Sequence, residues 1–141
     1  MIEKTKIGIV GYGNLGRGVE LALKKCPDME LVGVFTRRPP ETVELIDATV
    51  KVMPIEEAEK MQGLIDVIIL CGGSASDLPQ QGPYFASMFN TIDSFDTHAK
   101  IPEYFEKMDE ASQGSDYVSI ISVGWDPGLF SIHRMMSEAI L

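Results

Sequence analysis

Gly11-Tyr12-Gly13-Asn14-Leu15-Gly16 constrains this chain more than any other stretch, because of what stands on either side of it. Before it, Ile7 to Val10 is an apolar, β-branched run that reads as a buried strand. After it, Leu15 to Lys25 reads as a helix, with Val19, Leu21 and Leu23 as its apolar residues and Pro27 stopping it. A G-x-G-x-x-G spacing is weak on its own, but between a strand and a helix start each glycine has a separate task. Gly11 permits the tight turn, Gly13 lets a pyrophosphate approach the backbone, and Gly16 lets the helix pack closely on the sheet. The free N–H groups of the helix start face the phosphates, aided by the helix dipole. This is the pattern of a dinucleotide site.

The rest of the chain repeats the alternation. Strands are predicted at Leu31 to Phe35, around Lys51 to Met53, at Asp66 to Cys71, at Asn90 to Asp93 and at Tyr117 to Val123. Helices are predicted at Pro79 to Phe89 (despite Gly82 and Pro83), Pro102 to Ser112 and Leu129 to Leu141. Asp66 to Cys71 is apolar enough to be buried on both faces. The fold class is therefore α/β, a Rossmann-type doubly wound, mostly parallel sheet. With 141 residues, 45% of them hydrophobic, one domain with a real core is expected. We divide it into a cofactor-binding domain over 1–122 and, over 123–141, a connection and helix leading to a further substrate and dimerisation domain. The apolar last turn, Ala139-Ile140-Leu141, carries no cap and reads as the front part of a longer protein.

Charge narrows the partners. Twelve basic side chains against 21 acidic ones give a net charge of -9, which disfavours nucleic acid and anionic membranes. Against that background the second strand ends in Phe35-Thr36-Arg37-Arg38. An NAD site carries an Asp or Glu about 20 residues past the glycines, bonded to the ribose 2′-hydroxyl. A hydroxyl and two guanidinium groups suit a 2′-phosphate instead, because the planar arginine fork makes paired, charge-assisted hydrogen bonds to phosphate oxygens. The expected cofactor is NADP(H). Two distant cysteines, Cys26 and Cys71, and no signal or spanning segment fit a cytoplasmic protein. The only histidines, His98 and His133, read as structural or surface residues, and no metal-ligand spacing is present.

Ligands of open α/β sheets gather outside the carboxyl ends of the strands. Five strand ends here carry small, polar or glycine-rich residues: 11–14, 36–38, 72–76, 94–96 and 124–128. Each alone is an ordinary turn; their joint placement is what points to one crevice. Asp96 and Asp126 are the carboxylates that could reach a reacting carbon. Asp126 before Pro127 also fits a helix N-cap followed by N1, and spacing leaves the two readings even. Trp125 reads as a pocket wall.

These stretches, together with 27–33 and Leu129-Phe130-Ser131-Ile132, resemble the meso-diaminopimelate D-dehydrogenase family along essentially the whole chain. The resemblance implies reversible, NADP-dependent oxidative deamination of the D-centre of meso-2,6-diaminopimelate. The products would be ammonia and L-2-amino-6-oxopimelate, which cyclises to tetrahydrodipicolinate on the lysine pathway. It implies Asp96 and Asp126 as catalytic residues, and Asp96, Trp125 and Asp126 as substrate contacts. Cofactor contacts would come from Gly11, Tyr12, Gly13, Asn14 and Leu15; Thr36, Arg37 and Arg38; and Cys71, Gly72, Gly73, Ser74, Ala75 and Ser76. Ser94, Phe95, Asp96, Gly124, Trp125, Asp126 and Pro127 complete that set. The family forms homodimers through a further domain that also supplies most substrate contacts, so this chain is expected to bind cofactor with little activity alone. Two other readings fit the same front half: a different Rossmann oxidoreductase, and a stand-alone NADP(H)-binding regulatory module.

Overall fold

The apolar runs become the strands of one sheet. In the computed structural model, which describes residues 3–140, the strands are β1 (Thr5–Val10), β2 (Met29–Thr36), β3 (Lys51–Pro54), β4 (Val67–Leu70), β5 (Asn90–Asp93) and β6 (Ser119–Ile120). The helices are α1 (Asn14–Leu23), α2 (Leu78–Ala86), α3 (Ile101–Ser112) and α4 (Leu129–Ile140). The strand order is β3-β2-β1-β4-β5-β6, and every pairing is parallel. The chain winds outward from β1 to β3, then crosses back to β4 and winds the other way. The order therefore reverses between β1 and β4, the point where such sheets open a ligand crevice at their carboxyl ends.

Successive side chains of a strand point to opposite faces, so each central strand feeds two cores. Val10, Phe35, Ile68 and Leu70 pack on one face with Leu78, Phe85 and Phe89. Ile7, Ile9 and Val34 pack on the other with Leu23 and Val43. Ile68 and Leu70 are fully buried, while Val67 and Ile69 of the same strand pack against the opposite cluster. Coverage of both faces is what a parallel sheet requires.

Three segments depart from the sequence expectation. The polar stretch after β3, left unassigned by pattern, forms a 3-10 helix (Ile55–Met61) that buries Ala58. The second helix runs 78–86 rather than 79–89, and Gly82 in its middle has a packing reason. A Cβ there would lie 2.0 Å from Tyr104 Oη, so only a glycine lets α2 lie against α3 at this distance. The last strand shrinks from the predicted 117–123 to Ser119–Ile120. Ser122 takes a φ of 59°, and buried Asp93 captures its N–H at 3.0 Å, which ends the ladder. The final helix α4 forms over Leu129–Ile140, the expected end at Leu141 lying outside the described residues; none of its described residues is buried, and Phe130, Ile132, Met135, Met136 and Ile140 are exposed. No helix among the described residues is long and apolar enough to cross a membrane.

Candidate cofactor site

The glycine-rich turn has the geometry its spacing predicts. Gly11 has a φ of +88°, and a Cβ there would sit 3.2 Å from the Cys71 carbonyl carbon. That close approach seats the β1–α1 turn against the end of β4. At Gly16 a Cβ would lie 2.3 Å from the Gly11 carbonyl oxygen, so the third glycine is what lets α1 close on the turn. At Gly13 nothing lies within 4 Å, which leaves the backbone open to an incoming group. Helix α1 has no side-chain cap and no acidic residue in its first turn. Its leading N–H groups are thus available to an anion.

The end of β2 folds over this turn. Thr36 is buried, and its Oγ1 accepts the Arg38 N–H at 3.1 Å. The Arg38 guanidinium donates through Nη2 to the Tyr12 carbonyl. Arg37 pairs through Nη2 with Asp77 Oδ1 at 2.7 Å, and Gly73 N–H donates to the other Asp77 oxygen at 3.0 Å. Together these groups border a cleft of about 480 Å³. Of the residues expected to contact cofactor, Gly11, Tyr12, Gly13, Thr36, Arg37, Arg38, Cys71, Gly72 and Gly73 line it, and Phe35, Ile55, Asp77 and Gln81 join them. Asp77 and Gln81 were missed because they come from the opening of α2, after the glycine stretch that drew attention. Burial pushes the Cys71 thiol up to about 12, so this cysteine lines the cleft as a neutral, unreactive group.

Further along the sheet edge, Ser74 Oγ accepts the Asp96 N–H at 2.7 Å and lies 3.4 Å from Thr97 Oγ1. The ends of β4 and β5 are thereby joined. Asp126 is next: its Oδ1 accepts from Ser131 Oγ at 2.7 Å, from Arg134 Nη2 at 2.9 Å and from His98 Nε2 at 3.0 Å. Side chains hold it, and α4 begins only at Leu129, so the N-cap reading of Asp126 with Pro127 at the first helical position falls. The Ser131 hydroxyl, aided by Arg134 and His98, holds its carboxyl below the usual carboxylate range. His98, read from the sequence as structural or surface, is exposed and ties β5's end to residues 124–128.

Other expected contacts lie elsewhere. Trp125 is 67% exposed, stacks on Phe130 with ring centroids 6.0 Å apart, and does not line this cleft. Phe95 is buried and stacks on Tyr104 at 4.1 Å, so its ring belongs to the core and only its backbone faces the sheet edge. Asn14 and Leu15 form the first turn of α1, while Ala75, Ser76, Ser94, Gly124 and Pro127 lie outside the cleft's lining. Asp93 is the residue behind the loops that sequence reasoning passed over. Its buried carboxylate accepts the Phe95 and Ser122 N–H groups at 2.9 and 3.0 Å and the Tyr104 hydroxyl at 2.7 Å. It fixes both the loop bearing Asp96 and the approach to Asp126, and its only sequence signal was an acidic residue at the end of a predicted strand.

Comparison with known proteins agrees with this architecture. No family model matches the chain. The meso-diaminopimelate D-dehydrogenase of Lysinibacillus sphaericus is 65% identical over 140 residues, 99% of this chain and 43% of the relative. That of Corynebacterium glutamicum is 43% identical over 140 residues, again 99% of this chain and 42% of the relative. Among solved structures, a multiply substituted meso-diaminopimelate dehydrogenase from Clostridium tetani, with diaminopimelate, superposes with a TM-score of 0.82 at 54% identity. That match covers 98% of this chain and 42% of the other. An engineered D-amino acid dehydrogenase bound to NADP⁺ superposes at 0.81 with 43% identity, over 98% of this chain and 42% of that one. The chain thus spans about 43% of the length of the first curated relative it matches. In sequence and in fold, the chain is similar to meso-diaminopimelate D-dehydrogenases over that part of their length.

Proposed function

We propose that this chain is the NADP(H)-binding portion of an oxidoreductase that reversibly deaminates the D-centre of meso-2,6-diaminopimelate. The observation that carries this reading is the pairing of an open glycine turn with Thr36, Arg37 and Arg38 on one cleft in a chain of net charge -9. The N–H groups opening α1 and the bare backbone of Gly13 would hold the pyrophosphate. Arg37 and Arg38 would hold the 2′-phosphate, with Thr36 ordering the turn between them. Residues 72–76 leave space for the nicotinamide ribose. When bound, the nicotinamide supplies the acceptor for a hydride.

Asp96 and Asp126 act on the substrate. A carboxylate beside the amino group orients it and stabilises the positive charge that grows on nitrogen as the α-hydrogen departs as hydride. Water then adds to the imine, ammonia leaves, and L-2-amino-6-oxopimelate remains to cyclise to tetrahydrodipicolinate, on the route to lysine. Residues 1–122 would form the cofactor unit, and 123–141 would lead, through the exposed α4, toward the domain that completes the substrate site and the homodimer. The protein would work in the cytoplasm. On this reading the chain alone binds NADP(H) and turns over meso-diaminopimelate poorly or not at all.

A chimera tests it. Joined to the remainder of the Lysinibacillus sphaericus relative, the chain is expected to reduce NADP⁺ with meso-diaminopimelate, while the separate 141-residue chain does not. Rapid turnover by the separate chain, or a chimera that folds and prefers another substrate class, would contradict it.

A further inference from the structure

Glu20 is a charged residue that none of the foregoing chemistry uses. Its side chain is 1% exposed on α1, yet no Lys, Arg or His is paired with it among the described residues. Burying a carboxylate costs several kcal/mol unless hydrogen bonds hold it (roughly, by transfer measurements). Here three do. The Tyr12 hydroxyl donates to Oε2 at 2.5 Å, Ile46 N–H donates to the same oxygen at 3.2 Å, and Asp47 N–H donates to Oε1 at 2.7 Å.

These donors come from the glycine turn and from the β2–β3 connection, whose first residues Arg37 and Arg38 line the cleft. Tyr12 belongs to the glycine turn, and its own carbonyl is the acceptor for Arg38 Nη2. Ile46 and Asp47 belong to the connection that leaves β2 just after Arg37 and Arg38 and returns to β3. A single buried carboxylate therefore fastens the turn to that connection, and Arg38 makes a second link between the same two segments. If the Tyr12 ring shifts, its carbonyl moves with it, and Arg38 loses the acceptor that orients its fork.

We propose that Glu20, acting through Tyr12, is a positioning residue for Arg38 and so sets the preference for a cofactor bearing a 2′-phosphate. This rests on the NADP(H) reading, and the wild-type preference for NADPH over NADH tests that reading separately. Glutamine keeps the size of Glu20 but has one acceptor oxygen, so it cannot receive donors on both sides as the carboxylate does. Tyr12→Phe keeps the ring and removes only the hydroxyl.

The experiment is calorimetric titration of the 141-residue chain with NADPH and with NADH, for wild type, E20Q, Y12F, R38A and E20Q/R38A, with circular dichroism to check folding. The expected result is that E20Q and Y12F each narrow the NADPH-to-NADH affinity ratio at least threefold, and that E20Q has no further effect on the ratio once Arg38 is gone. A merely structural role would weaken both cofactors equally and leave the ratio alone. An unchanged ratio in a folded E20Q or Y12F, or a narrowing that persists undiminished in the R38A background, overturns the proposal. Should E20Q fail to fold, Y12F, set against Y12F/R38A, decides it by the same criteria. Equal affinities for the two cofactors in the wild type would instead sink the underlying cofactor reading, and this proposal with it.

Discussion

Two glycines of the same turn make opposite demands, and alanine distinguishes them. At Gly16 the added methyl group would collide with the Gly11 carbonyl oxygen at 2.3 Å, a backbone atom with nowhere to go. Overpacking of that kind costs about 1–3 kcal/mol, so G16A is expected to lower the denaturation midpoint clearly. At Gly13 the methyl group meets nothing within 4 Å, and G13A is expected to unfold at the wild-type midpoint yet bind NADPH about tenfold or more weakly, by crowding the pyrophosphate. Equal stability losses in the two variants would count against the separate roles. At this scale the sequence was readable because the motif is local: strand, turn and helix lie within a few residues. Glu20, Asp77 and Asp93 were not readable. Their meaning depends on partners 8 to 40 residues away, at Tyr12 and Ile46, at Arg37, and at Ser122.

Among the elements, β4, with its continuous apolar run, and the shorter, more polar β5 were read correctly in kind and nearly in extent. Those at the edge were not. The apolar residues of 117–123 suggest a strand, but β6 has only β5 beside it, and Asp93 withdraws the N–H of Ser122 from any further pairing. Ser122 is held at a φ of 59°, and its hydroxyl oxygen is buried without a hydrogen-bond partner. Glycine relieves both burdens, so S122G is expected to stabilise the chain by about 1 kcal/mol in chemical denaturation. A loss of stability would show that the serine side chain contributes contacts that outweigh its strain. Trp125, read from its neighbours in sequence as a pocket wall, stacks on Phe130 of α4 on an exposed face. The pattern of a helix says which residues share a face, not what that face will meet.

For the molecule as a whole, the strand order places the crevice at the β1–β4 reversal, in keeping with the doubly wound sheet expected from alternating strands and helices, and contacts along the sheet edge link the segments that follow β1, β2, β4, β5 and β6. Arg38 reaches Tyr12, Arg37 reaches Asp77, Ser74 reaches Asp96, and His98 reaches Asp126. The interior also predicts how stability depends on pH. Burial raises the Cys71 thiol to about 12, and burial together with the carboxylates of Glu20 and Asp93 raises the Tyr12 and Tyr104 phenols. The folded state thus keeps protons that the unfolded chain gives up first. Stability from these groups is complete below their unfolded values and is lost as pH climbs toward the folded ones, from about 9 to about 12 for Cys71. Urea denaturation is expected to give a lower midpoint at pH 10 than at pH 7.5, and C71A to flatten part of that decline. A midpoint that rises over the same interval would contradict the buried, neutral thiol and phenols.

The central claim is that the cleft beside Gly13 and Arg38 was built for a dinucleotide carrying a 2′-phosphate. Calorimetric titration of the purified chain with NADPH and NADH tests it most directly. Saturable, one-to-one binding of NADPH at least tenfold tighter than that of NADH is expected, with the difference largely removed when Arg37 and Arg38 are both replaced by alanine. Equal affinity for the two, or no binding by a chain shown to be folded, would contradict it.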